Sequence, residues 1–144
     1  MKNAFTLIEL LVVISIIGII LGLAFVSFQE TKKSARDTQR KAALEDIRSS
    51  MEVFKADCGK YPVEPLPGAG SSLRGDSSSS ACSTNNTYLY AMPAEPSSGR
   101  VYYYDQLTTS SYELCTALEN IPGGTLPTCG GSCGETCNYR ITNP

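Results

Sequence analysis

Residues 5–28 read FTLIELLVVISIIGIILGLAFVSF. The stretch holds 24 residues and one charge, Glu9, and the 19 residues from Leu10 to Phe28 carry no ionisable group. As a helix, those 19 residues span about 28 Å, close to the hydrocarbon thickness of a bilayer. The segment is long enough to cross a membrane. A cleaved secretory signal is the competing reading, because Gly22-Leu23-Ala24 passes for a small-x-small site. Against it, the apolar run exceeds the about 7–15 residues of such a signal, and a helical pattern follows without a break. Glu9 stands out among Leu7, Ile8, Leu10 and Leu11. A charged side chain costs roughly 2.5–3.5 kcal/mol at a bilayer centre on insertion scales. Near the start of the segment it can snorkel to the headgroups. The other solution is a cationic partner, and none lies between Phe5 and Phe28, so it must come from elsewhere.

The 144 residues suffice for one domain plus a spanning or stem helix. The net charge of −2, with mixed signs, leaves no electrostatic footprint for nucleic acid. There is no His, which removes the commonest general base and many metal sites, and no nucleophile motif is present, so the chain does not read as an enzyme. All six Cys follow residue 57, in a region rich in Ser, Gly and Pro. That pattern reads as a disulfide framework in an oxidising compartment. Lys32, Lys33 and Arg36 beyond the span favour a cytoplasmic C-terminal part by the positive-inside rule. The cysteines argue the opposite, and Glu30 and Asp37 dilute the basic cluster, so the C-terminal part is expected to be extracytoplasmic.

From Gln29 to Asp57 there is no Pro or Gly, and good helix formers dominate. Leu44, Ile47, Met51, Phe54 and Cys58 form one apolar stripe, expected to carry a small sheet. Residues 29–41 lack a stripe and are expected to be solvated or to pack on other subunits. Asp37 and Lys41 make an i,i+4 pair in the favoured order. Gly59 supplies a C-cap and Pro62 stops the helix, which would be roughly 80 Å long from Phe5. Tyr61 to Arg100 reads as loop rather than core, with a four-serine run at Ser77–Ser80. Thr87 to Ala91 suits a short helix or an extended piece, and Asn85-Asn86-Thr87 matches a glycosylation sequon, a weak signal. Residues 100–105 read as a strand, Gln106 to Ser110 as a turn, and Ser111 to Leu118 as a second strand. In that second strand Tyr112, Leu114, Thr116 and Leu118 share one face, with Glu113 and Cys115 on the other. Gly123, Gly124 and Pro127 force a loop, and Asn138 to Thr142 reads as a last strand. The expected fold is α+β: a long N-terminal helix packed on a small antiparallel sheet of about three strands.

Phe5-Thr6-Leu7-Ile8-Glu9-Leu10, after a short tail with Lys2 and before an apolar run containing Gly18 and Gly22, is similar to the start of type IV pilins and type II secretion pseudopilins. Gly59-Lys60-Tyr61-Pro62 resembles the G-x-Y-P helix exit of that family. The tyrosine-rich hairpin after Leu89-x-x-x-Pro93 looks like its globular domain. The resemblance implies a pilin fold and a prepilin peptidase cut between Ala4 and Phe5, with N-methylation of Phe5. It implies assembly through Glu9, beside Thr6, neutralising a neighbouring subunit's terminal ammonium. The family normally has Gly before the cut, where this chain has Ala4, and many members carry a Pro late in the segment, which this one lacks.

On this reading residues 1–4 are a leader, 5–28 the transmembrane and filament-core helix, and 29–58 the amphipathic half. Residues 59–99 form a loop and 100–144 a small sheet with a Cys-rich loop. The implied function is a structural subunit that polymerises into a pilus-like surface filament. The alternatives are a pseudopilin or a single-span anchored binding domain. The partners would be identical subunits, the bacterial inner membrane, the peptidase and the assembly machinery. Gly18 and Gly22 each lower helix stability by about 1 kcal/mol relative to Ala, so their turn either melts in a filament or serves close packing.

For the cysteines, the reading leans to Cys58–Cys82, with Cys115 joined to one of Cys129, Cys133 and Cys137, a region many pilins clamp. Zinc is the alternative, but C-x3-C-x3-C without His is not a common zinc spacing. Calcium, known in pseudopilin loops, has little support, because Glu95, Asp105 and Glu113 are scattered and Ala94 to Gly99 replaces the family's D-P-W-G stretch. No metal or cofactor is expected. Tyr102 to Tyr104 suit strand packing better than adhesion.

Overall fold

The computed structural model describes residues 6–121 and 129–143. The expected cleavage pair Ala4 and Phe5, and the glycine and proline loop at residues 123–127, lie outside the described residues. The chain divides into two units, Met1–Ala35 and Arg36–Pro144. One helix, α1, runs from Leu7 to Cys58 through both.

In the first unit α1 opens on a capping box. The Thr6 backbone N–H and hydroxyl both donate to Glu9 Oε2, at 2.9 and 2.7 Å. The Glu9 N–H reaches back to Thr6 Oγ1 at 3.4 Å. Two orphan donors of the first turn are thereby satisfied. The unit's large apolar side chains from Leu7 to Leu23, and Phe28, are exposed.

In the second unit Leu44, Ile47, Met51, Phe54 and Cys58 are buried on one face of α1, so the stripe is the core face. The helix ends where Gly59 turns left-handed, with φ of 74°, and its N–H bonds the Lys55 carbonyl at 2.8 Å. This is the αL cap that glycine adopts at least cost. Tyr61 is then driven into the core, its ring edge-on to Tyr112 at 4.6 Å, and Tyr104 donates its hydroxyl to the Pro62 carbonyl at 2.6 Å.

Leu73–Arg74 (β1) pairs antiparallel with Thr87–Leu89 (β2) in a small ribbon. A three-stranded antiparallel sheet is built from Tyr103–Thr108 (β3), Ser111–Thr116 (β4) and Tyr139–Thr142 (β5), in the order β3-β4-β5. Tyr104, Leu114 and Ile141 stand in register across it. The protein is α+β, with a long helix, small antiparallel sheets and disulfides.

Four sequence expectations need correction. Residues 61–100 are not merely loop: Tyr61, Leu73, Cys82 and Met92 are core residues, because helix and sheet alone leave their shared apolar face uncovered. The first strand of the hairpin begins at Tyr103 and runs to Thr108, so the turn is only Thr109-Ser110. The reason is that Val101 gives its N–H to the Cys133 carbonyl at 3.0 Å instead of to β4. The second strand stops at Thr116, and both its faces are buried. Tyr112 and Leu114 meet the helix side, while Cys115 joins Ala117, Cys133 and Cys137 in a second cluster. The last strand starts at Tyr139, because Asn138 instead holds Leu118 through paired bonds of 2.7 and 2.8 Å.

Candidate functional site

The segment from Leu7 to Phe28 offers exposed apolar side chains, from Leu7 to Leu23 and at Phe28, with a single carboxylate at Glu9. It is the one described helix segment long and apolar enough to cross a membrane. Glu9 Oε2 is held by Thr6, while no described residue donates to Oε1. The site therefore combines a wide apolar face with an anion anchored at the helix entrance. Gly18 and Gly22 lie within the unbroken helix, four residues apart, and nothing stands within 4 Å of where a Cβ would point at either. The structure thus leaves their face open. Ser15 returns its hydroxyl to the Leu11 carbonyl at 2.8 Å, which satisfies that polar group within the helix.

In the second unit the cysteines pair as Cys58–Cys82, Cys115–Cys129 and Cys133–Cys137, and none is free. The first bridge ties the end of α1 to the serine-rich loop. There Ser79 donates to the Asp57 carbonyl at 2.8 Å and Ser78 to the Cys58 carbonyl at 3.4 Å, covering orphan acceptors of the last turn. Asp76 holds this loop through Lys60, at 2.8 Å, and the Ser78 N–H. Lys60, with help from Ser78, draws its carboxyl down to about 2. The other two bridges close the C-terminal loop over the outer face of β4. Glu113 also sits there, buried, accepting from the Gly130 N–H at 2.8 Å and from Arg140 at 3.5 Å.

The anchor between α1 and the rest of this unit is a buried charge cluster that sequence reading missed. Arg40 is fully buried. Its guanidinium donates to Asp37 at 2.6 Å, Glu119 at 3.0 Å and the Ser97 hydroxyl at 2.8 Å, and also to Glu95. Arg36 grips Glu119 with two bonds, one of 2.6 Å. Asp37 meanwhile accepts the N–H groups of Glu119 and Asn120 at 2.9 and 2.8 Å. Burial pulls the Arg40 proton affinity down, but the bonds to Glu95, Glu119 and Asp37 outweigh it and leave it raised. Glu119 is drawn down to about 2, chiefly by Arg36 and also by Arg40.

Thr38 and Gln39 are exposed, whereas Arg36, Asp37 and Arg40 are therefore neither solvated nor reserved for other subunits. They clamp the loops at residues 95–97 and 119–120 onto the helix. Asp37 pairs with Arg40 rather than with Lys41, whose ammonium lies over the Tyr139 ring at 5.4 Å. Glu95, Asp105 and Glu113 go to different places: Glu95 to Arg40, Asp105 beside Glu64, and Glu113 to Gly130. Tyr102 to Tyr104 pack in or beside the core. The capping box carried a legible signal, T-x-x-E before an apolar run. The clamp did not, because its partners come from 55 and 79 residues away.

Residues 1–25 match the family model described as the prokaryotic N-terminal methylation motif. Among relatives, a stretch of 58 residues is 40% identical to the pilin-like protein PilA3 of Thermus thermophilus, covering 40% of this chain and 25% of that protein. The chain is similar in this stretch to a pilin-like protein. It spans about a quarter of that relative's length, and no solved structure matches it. The motif with its apolar helix fits membrane anchoring.

Proposed function

We propose that this chain is the structural subunit of a pilus-like filament. It is held in the inner membrane by residues 5–28 with its C-terminal unit outside the cytoplasm, then cut before Phe5 and polymerised. The supporting observation is the run of exposed apolar side chains from Leu7 to Leu23, and Phe28, with Glu9 the single charge of the stretch. At about 25 cal/mol per Å² of apolar surface buried, packing such faces against one another offers a driving force far beyond what one head contact supplies. A carboxylate kept in place by Thr6 offers an incoming subunit's terminal ammonium a partner in a dry environment. The three disulfides favour an exposed surface filament over a pseudopilus, since covalent staples suit a head facing an oxidising exterior.

The test is mass spectrometry of filaments sheared from cells that express the chain. The expected subunit begins at Phe5 with a methylated amine. A chain recovered only from membranes, starting at Met1, would overturn the proposal.

A further inference from the structure

Asn85-Asn86-Thr87 is used by none of the pilin-like features. An Asn followed two places on by Ser or Thr, with no Pro between, is an acceptor for N-linked oligosaccharide when it lies on the surface of an exported protein. Three residues meet that pattern often by chance, so their place in the fold decides.

Asn85 is exposed, at the third position of a turn closed by the Asn86 N–H on the Ser83 carbonyl at 2.9 Å. Its backbone N–H gives to the Ser83 hydroxyl at 3.2 Å, while its side-chain carboxamide bonds none of the described residues. Asn86 and Asn138, by contrast, hold loops: their amide groups donate to the Ala81 carbonyl at 2.7 Å and to the Leu118 carbonyl at 2.8 Å. Thr87, the hydroxyl residue of the triplet, opens β2. It pairs with Arg74 on one side, and no described strand lies on the other. The Thr87 hydroxyl likewise bonds none of the described residues. The turn is held without either side chain. The Cys58–Cys82 bridge fixes its approach, Asn86 closes it on Ala81, and the Gly75 N–H bonds the Asn86 carbonyl at 3.1 Å. A substituent on Asn85 Nδ2 therefore breaks no described contact, and the turn that presents it is preformed.

We propose that Asn85 is an N-glycosylation site, which rests on the extracytoplasmic placement of the C-terminal unit proposed above. The donor is an oligosaccharide joined through a diphosphate to a membrane lipid. Asn85 Nδ2 forms a bond to C1 of the first sugar. The C1–O bond to the diphosphate breaks, and the lipid diphosphate leaves with that electron pair. One Nδ2 proton passes to a base of the transferase, and nothing is oxidised or reduced. The attached chain gives this exposed turn a bulky, hydrated cover, a few residues beyond the serine run at 77–80.

The experiment takes the full chain from the cells that make it and sequences its peptides by electron-transfer mass spectrometry, a fragmentation that leaves glycans in place. An oligosaccharide mass is expected on Asn85. It is expected to be lost in Asn85→Gln and in Thr87→Val, which keeps the asparagine but removes the hydroxyl, and to be kept in Thr87→Ser. Valine suits a strand, and circular dichroism checks that each variant folds. Unmodified Asn85 with the three disulfides intact would overturn the site alone. Unmodified Asn85 with free thiols would overturn both the site and the extracytoplasmic placement. Sugar found only on Ser77 to Ser80, or retained on Asn85 in folded Thr87→Val, would also overturn the proposal.

Discussion

Among single residues, Glu9 and Arg40 carry the two charges with the most consequence. Glu9 caps its own helix and, on the proposed function, also supplies a charge to another chain. Glu9→Gln keeps the cap, because glutamine also completes a capping box, but removes the charge. The expected outcome is normal membrane insertion with filament yield lost, read by fractionation and microscopy. Glu9→Ala should lose both, and normal filaments from Glu9→Gln would refute the charge role. Arg40 lies buried among Asp37, Glu95 and Glu119. Removing one partner of a buried charge cluster strands the others, so Arg40→Ala should destabilise the C-terminal unit by about 3–5 kcal/mol in denaturant unfolding. Acid should act on the same cluster. Glu119 is depressed to about 2, and an unfolded Glu titrates near about 4.3. A depressed carboxylate contributes stability that is present above the unfolded value and lost as pH falls through the folded one. Unfolding free energy should therefore drop between about pH 4 and pH 2, and Glu119→Gln should flatten part of that drop.

At the scale of elements, α1 shows what was legible and what was not. The stripe from Leu44 to Cys58 could be read because burial against a sheet imposes a spacing of three and four. The helix end at Gly59 could be read because its left-handed turn favours glycine. Arg36, Asp37 and Arg40 could not, because a charged residue on a helix looks alike whether it meets water or carboxylates brought in by a distant loop. The tyrosines at 102–104 suggested a strand, but pairing is decided by which backbone arrives alongside, and Val101 is claimed by Cys133. The disulfides differ in the loops they close. Cys58–Cys82 spans 24 residues and Cys133–Cys137 only 4. In the chain-entropy view the longer loop contributes about 3.5 kcal/mol and the shorter about 2 kcal/mol. Replacing Cys58 and Cys82 by Ser should thus lower the melting temperature more than the same change at Cys133 and Cys137. Thiol labelling of denatured, unreduced protein should find no free thiols, and two or more would contradict the framework. Gly18 and Gly22, in an unbroken helix with open space around them, are free to serve close packing between helices.

At the scale of the whole molecule, the central claim is that the Leu7–Phe28 face exists to be covered by other copies of the same face. The apolar stretch was evident from residues 5–28 alone, because a run without charge has few soluble destinations. Its final partner is not encoded in one chain's contacts, which is why the claim needs an assembled specimen. The most direct measurement is a cryo-electron microscopy map of filaments sheared from cells expressing this chain. The account predicts that residues 7–28 of many copies pack together along the filament axis, with each Glu9 carboxylate within hydrogen-bond distance of a neighbour's terminal amine. Filaments built from other chains, or from this one with residues 7–28 facing outward and Glu9 unpaired, would contradict it.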